Sequence, residues 1–141
     1  MATQTKAIAL HVDDHFDERV AICLFRKHGE ERFPGTAVAS VVRWKTGDTP
    51  DGRPAEAWMA EGVIPIGVGH GPFDEHRKDG SRIPGECAAT LVAKALGIAE
   101  SWELRKLLRF TLQTDEHEAS FRQPFVVAGI MKVIRKTNPD H

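Results

Sequence analysis

Residues 11–18 read HVDDHFDE: two histidines, three aspartates and a glutamate in eight positions, directly after the apolar run AIAL. Imidazole and carboxylate together suit Mn²⁺, Fe²⁺ or Zn²⁺ better than Ca²⁺, which prefers oxygen alone. The spacing His11-x-x-x-His15-x-Asp17 lets these side chains converge where a strand passes through a loop into a helix. Two further segments repeat the pairing. GHGPFDEH (69–76) adds Asp74 and His76, and TDEHE (114–118) adds Asp115 and His117. Taken singly, each has a simpler reading. Asp17 and Glu18 suit the first turn of a helix, where a carboxylate meets the dipole. FDEHRKDG suits a solvated loop, and His117 a surface position. With only seven histidines in the chain, three Asp-plus-His segments point instead to a metal site.

The elements that would position these residues follow from periodicity. KAIALHV (6–12) reads as a buried strand, apolar on both faces as in a parallel sheet. DERVAICLFRKH (17–28) reads as a helix with Val20, Ala21, Leu24 and Phe25 on one stripe, ended by Gly29. GTAVASVVRW (35–44) predicts a second strand, KTGDTPDGRP (45–54) a loop, and AEAWMAEG (55–62) one or two helical turns. VIPIGVG (63–69) predicts a third strand. Pro65 cannot donate to a ladder, so the strand starts near it or turns that position outward. After a polar loop (71–85), ECAATLVAKALG (86–97) predicts a helix capped by Gly97. A further helix starts at Ser101 and turns Leu104, Leu107, Leu108 and Leu112 inward. Residues 113–124 interrupt it, and a last helix covers roughly 124–136.

The expectation is an α/β fold: a mostly parallel sheet of about three to five strands with helices packed on it and a helical C-terminal third. Ligands bind such sheets beyond the C-terminal ends of the strands. The first cluster follows the first strand and the second follows the third, so both should share one sheet edge.

The 141 residues suit a single domain, with 41% hydrophobic and 28% charged residues. A net charge of −1 excludes the strongly basic balance of a general nucleic-acid binder. Cys23 and Cys87 have no CxxC spacing and read as buried free thiols. No apolar run approaches a membrane span and the N-terminus makes a poor signal peptide, so a cytoplasmic location is expected. G-x-x-x-x-G-K-[ST], G-x-G-x-x-G and G-x-S-x-G are absent. Trp44, Trp58 and Trp102 read as core or interface residues.

His11-x-x-x-His15-x-Asp17 resembles the first motif of the DHH phosphoesterase superfamily, H-x-x-x-D-x-D, with His15 in place of the first aspartate. The chain is most similar to the metal-dependent hydrolase branch that includes the melanocyte-proliferating-gene product. That branch carries H-x(4)-H-x-D-[DE], then V-D-V-G-G and F-D-H-H. Here HVDDHFDE is one residue shorter between the histidines, and IGVGHGPFDEH and ECAATLVAKALGI follow in the same order. Asp115 in LQTDEHE falls where the superfamily has its last motif aspartate. The resemblance covers roughly residues 6–138. Gly67 stands where the branch has the V-D-V-G-G aspartate, with Asp13, Asp14 and His70 as nearby replacements, and Glu75 stands for the middle histidine of D-H-H.

The resemblance implies one or two divalent ions, commonly Mn²⁺, with Zn²⁺, Fe²⁺ or Mg²⁺ as alternatives. It implies hydrolysis of a phosphodiester, nucleotide or short oligonucleotide by metal-activated water. His11, His15, Asp17, Asp74 and Asp115 would hold metal. Asp74 and His76 would serve catalysis. Arg77, Lys78 and Arg82, just past the second cluster, are candidate phosphate contacts. The chain ends where two-domain members begin a substrate domain, which makes a homodimer the expected cover for the site. The alternative expectation is a non-catalytic metal- or nucleotide-binding regulatory module that kept the fold.

Overall fold

The computed structural model describes residues 3–45 and 47–116. His117 and the expected helix at 124–136 lie outside the described residues. Three parallel strands form the sheet in the order β2-β1-β3. β1 (Ala7–His11) is central, and its apolar sequence buries it on both faces. β2 (Ser40–Trp44) pairs with it from Ala7↔Ser40 to His11↔Trp44. β3 (Val63–Pro65) pairs on the other side from Ala7↔Val63 to Ala9↔Pro65. Helix α1 (Phe16–His28) connects β1 to β2, and α2 (Ala55–Ala60) precedes β3. α3 (Ala88–Ala95) and α4 (Trp102–Glu116) follow the sheet and pack on α1 and on each other. The expected α/β architecture is therefore present. Among the described residues no helix is long and apolar enough to cross a membrane.

Alternation along β1 divides the core. Ile8 and Leu10 face the α1 and α3 side with Ile64 and Ile66, while Ala9 packs with Trp44, Val68 and Trp58 on the other. Phe73 sits edge-to-face against both Phe25 (5.3 Å) and Phe33 (5.9 Å). Burying such a ring contributes about 1.5–3 kcal/mol, so Phe73 anchors the loop that carries Asp74, Glu75 and His76.

Several elements differ from the sequence expectation. The second strand begins at Ser40, not 35. The Glu30 carboxylate accepts the Gly35 and Ala37 amides at 2.9 and 3.1 Å and holds that stretch as a turn. The third strand ends at Pro65, because the Gly67 amide donates to the Phe73 carbonyl at 2.9 Å rather than to a ladder. Ile66 donates to Ala9 at 2.9 Å, so strand alternation turns the Pro65 nitrogen outward as expected. Gly97 follows the C-cap Leu96 with φ +72°. α4 runs unbroken to Glu116. Its buried face continues from Leu108 through Thr111 to Asp115 at helical spacing, which leaves Leu107 outside. Cys23 is exposed because it lies off the Val20–Leu24 stripe of α1, whereas Cys87 is buried. Trp102 is exposed as well.

Candidate metal centre

Parallel strands place the segments that follow β1 and β3 on one edge, and two groups of side chains meet there. His15, Asp17 and Asp115 each present one ligand atom within 4.8 Å of the others, and so do Asp74, Glu75 and His76. His15 precedes α1, Asp17 sits in its first turn, and Asp115 lies in the last turn of α4. The sequence reading placed Asp115 in a loop; the helix instead fixes its direction.

Asp17 performs two tasks. Its Oδ2 accepts the Ala88 amide at 3.0 Å and ties α1 to the start of α3. Its Oδ1 is buried with no hydrogen-bond partner. Glu75 shows the same pattern: Oε1 lies 3.5 Å from Arg82 Nη2, while Oε2 is buried and unpartnered. An orphaned carboxylate oxygen in the interior is costly unless a cation or donor meets it. Burial pushes Asp17 up to about 8, and the charges of Asp115 and Glu75 add to the rise. Burial likewise lifts Glu75 to about 7, with Asp115 and Asp74 contributing. Glu18 rises to about 10, from burial first and then from Asp17. Each shift has one physical meaning: negative charge is crowded where water is scarce.

Glu18 also accounts for Gly67. That glycine has φ +67°, and a Cβ on it would stand 2.4 Å from Glu18 Oε1. The Glu18 carboxylate thus fills the space a side chain at 67 would claim, while its Oε2 accepts the His15 amide at 3.2 Å. The replacements considered from sequence are otherwise engaged or absent from the interior. Asp14 is paired with Arg19 and Arg43, Asp13 is exposed, and the His70 ring bonds Asp48 and the His76 carbonyl at 3.1 and 3.0 Å.

Asp74 is held inside its own loop. Its Oδ1 accepts the His76 amide at 3.0 Å and lies 3.0 Å from His76 Nδ1, and its Oδ2 accepts the His70 amide at 2.9 Å. His70 has φ +53°, an arrangement that costs a non-glycine residue about 1–3 kcal/mol and persists only when neighbours enforce it. His11 falls outside both groups; its Nδ1 accepts the Asp13 amide at 3.1 Å. Arg77 and Lys78 are exposed, and Lys78 lines a cavity of about 410 Å³ with Asp48, Arg53 and His70. Arg82 turns inward and pairs with Asp115. Burial raises the Cys87 thiol to about 12, which removes it as a nucleophile at neutral pH.

Two glutamates were not among the expected metal ligands: Glu75, which clusters with Asp74 and His76, and Glu18, which is buried beside Asp17. Glu18 reads as an ordinary helix-start charge, and its burial is invisible until Gly67 leaves room for it. Glu75 reads as a lost histidine, although an acidic residue flanked by Asp74 and His76 was a usable signal. The nitrogen and oxygen donors, the excess of carboxylate and the orphaned oxygens of Asp17 and Glu75 fit a divalent cation. No protein-family model, curated protein or solved structure matches the chain.

Proposed function

We propose that this protein is a metal-dependent phosphohydrolase of the DHH type, acting on a phosphodiester, a nucleotide or a short oligonucleotide. One observation carries the reading: buried carboxylates from three separate segments gather in two groups bridged by Arg82 (Asp17 with Asp115, and Glu75), and two of them keep an unpartnered oxygen (Asp17 Oδ1 and Glu75 Oε2). His15, Asp17, Asp115 and Glu75 are the residues that would hold the cation, with Mn²⁺ favoured and Zn²⁺, Fe²⁺ or Mg²⁺ as alternatives. When bound, such an ion polarises a phosphoryl oxygen and lowers the pKa of a water molecule.

The chain's own groups do the rest. Asp74 holds His76 through Nδ1, which leaves Nε2 to carry a proton toward the leaving oxygen. The His76 side chain is 45% exposed, so a substrate can reach that nitrogen. Arg82 supplies a planar cation beside the carboxylates, suited to a bidentate grip on phosphate. Lys78, at the rim of the neighbouring cavity, offers a second positive charge, and Arg77 lies beside it. A cytoplasmic homodimer belongs to the same reading, because Val41 and Val42 stand exposed on β2, whose outer edge is free of sheet partners among the described residues. Sedimentation that gives a monomer at every concentration excludes the dimer.

A second reading, a binding module without turnover, is favoured by Asp74, whose oxygens both serve the loop. Hydrolysis of bis(p-nitrophenyl) phosphate with added Mn²⁺ decides between them. The phosphohydrolase reading expects turnover by the wild type and a loss of at least about 100-fold in Asp17→Asn. Equal rates in the two proteins contradict it, and Mn²⁺ binding without turnover on any phosphoester supports the module.

A further inference from the structure

We infer that Arg82 is a displaceable internal counter-ion: it occupies the acidic centre in competition with a divalent cation, and it becomes a phosphate contact once the cation releases it. This inference rests on the metal-site reading above. Among the described residues, Arg82 is the one permanently charged cation within ion-pair reach of Asp115 or Glu75. It bridges the two groups of candidate ligands, because Asp115 belongs to one and Glu75 to the other. A cation entering between Asp17, Glu75 and Asp115 meets the guanidinium on two of those three carboxylates. Like charges in one desolvated space oppose each other, so metal and Arg82 cannot both bind there at full strength.

The local chain is built for such an exchange. Arg82 rides on a short hairpin that starts from Glu75 itself. Ile83 donates to the Glu75 carbonyl at 2.9 Å, Arg77 donates to the Ser81 carbonyl at 2.8 Å, and residues 76 and 82 form an antiparallel bridge. The tip is fixed by Asp79, whose Oδ1 accepts from the Ser81 amide and hydroxyl at 2.9 and 2.6 Å. The backbone is therefore tied down while the Arg82 side chain is 36% exposed. The guanidinium can leave Asp115 for solvent without opening the core, and it stays beside the carboxylates that then hold the ion. A phosphate oxygen drawn to the cation would meet the freed guanidinium at the same place. Arg82 thus couples metal loading to phosphate binding.

The test is Mn²⁺ titration by calorimetry on the full chain, with and without inorganic phosphate, for wild type, Arg82→Gln and Arg105→Gln. Arg105 is an exposed arginine of α4 with no ion pair to a buried carboxylate among the described residues. Arg82→Gln is expected to bind Mn²⁺ at least about tenfold more tightly than wild type, because the competitor is gone. Arg105→Gln is expected to match wild type. Phosphate is expected to tighten Mn²⁺ binding in wild type, and this coupling is expected to shrink in Arg82→Gln to what the cation and phosphate share directly. Far-UV circular dichroism checks that each variant is folded; should Arg82→Gln unfold, Arg82→Met removes the charge with an apolar stem in its place and gives the same readout. Unchanged or weaker Mn²⁺ binding in Arg82→Gln, with wild type binding well, overturns the counter-ion role and leaves the metal site standing. Absence of Mn²⁺ binding in every protein overturns both.

Discussion

Two buried acidic sites lie one turn apart at the start of α1, and they are arranged in opposite ways. Asp14 is 1% exposed and holds two arginines, Arg19 at 2.7 Å and Arg43 at 2.5 Å. Its negative charge is more than matched, and its pairing ties α1 to β2. Asp17 is equally buried, but Glu18, Glu75 and Asp115 crowd it, and among the described residues Arg82 is the one arginine or lysine paired within the group, with Asp115 and Glu75. Two of their oxygens meet nothing. A chain that satisfies one carboxylate fully and leaves its neighbours in deficit separates a structural ion pair from the site we propose for a cation. Burial is the same in both; the balance of charge differs.

The largest expected effect exploits that difference. Asp17→Asn removes a charge but keeps an acceptor for the Ala88 amide, so the fold survives. We expect Mn²⁺ affinity to fall by at least about 100-fold, as for loss of an inner ligand. Asp14→Asn is expected to leave Mn²⁺ affinity within about twofold while reducing stability by about 1–2 kcal/mol, because two arginines lose a charged partner. Equal losses of affinity in both variants would erase the distinction between the sites.

Next comes pH. Unfolded, Asp17 and Glu75 titrate near 3.8 and 4.5; folded and metal-free, they titrate near 8 and 7. Between those limits the folded chain keeps protons that the unfolded chain has released. Their contribution to stability is therefore complete below about pH 4 and is lost as pH rises through 7 to 8. The melting temperature of metal-free protein should fall across pH 5–9, and saturating Mn²⁺ should flatten that fall. Asp17→Asn should show a shallower fall without metal. A melting temperature that rises with pH in metal-free wild type contradicts the deficit of positive charge.

A smaller effect is expected at Gly67→Ala. The φ of +67° and the contact with Glu18 Oε1 together should cost about 1–3 kcal/mol. Displacing Glu18 should also weaken Mn²⁺ binding, whereas Gly52→Ala, with φ +73° and open space around it, should lose stability alone. Thermal melting with and without Mn²⁺ separates the two.

The residues that made the fold legible are those whose burial is dictated by pattern. AIAL is apolar on both faces, so a central parallel strand was readable, and the αβ order then put residues 15–18 and 74–76 on one sheet edge. Boundaries were less readable where one side chain overrides propensity. Glu30 turns residues 35–39, with β-branched Thr36 and Val38, away from the sheet, and the buried face of α4 carries the helix through TDE. The histidine and aspartate pattern picked out His15, Asp17, Asp74, His76 and Asp115, which fall in the two clustered groups. Spacing also suggested His11, yet the end of β1 points it to the Asp13 amide. Glu18 and Glu75 stayed hidden because a glutamate's role depends on whether water reaches it, and sequence spacing does not encode that.

The most direct test of the central claim is the metal content of protein purified without chelator and re-equilibrated with Mn²⁺, with wild type beside Glu75→Gln. Glu75 carries a buried carboxylate oxygen with no hydrogen-bond partner. The account predicts one or two bound ions per chain in wild type and loss of bound metal in Glu75→Gln with the fold intact. A wild type that holds no metal under saturating Mn²⁺, or a variant that holds as much as wild type, contradicts it.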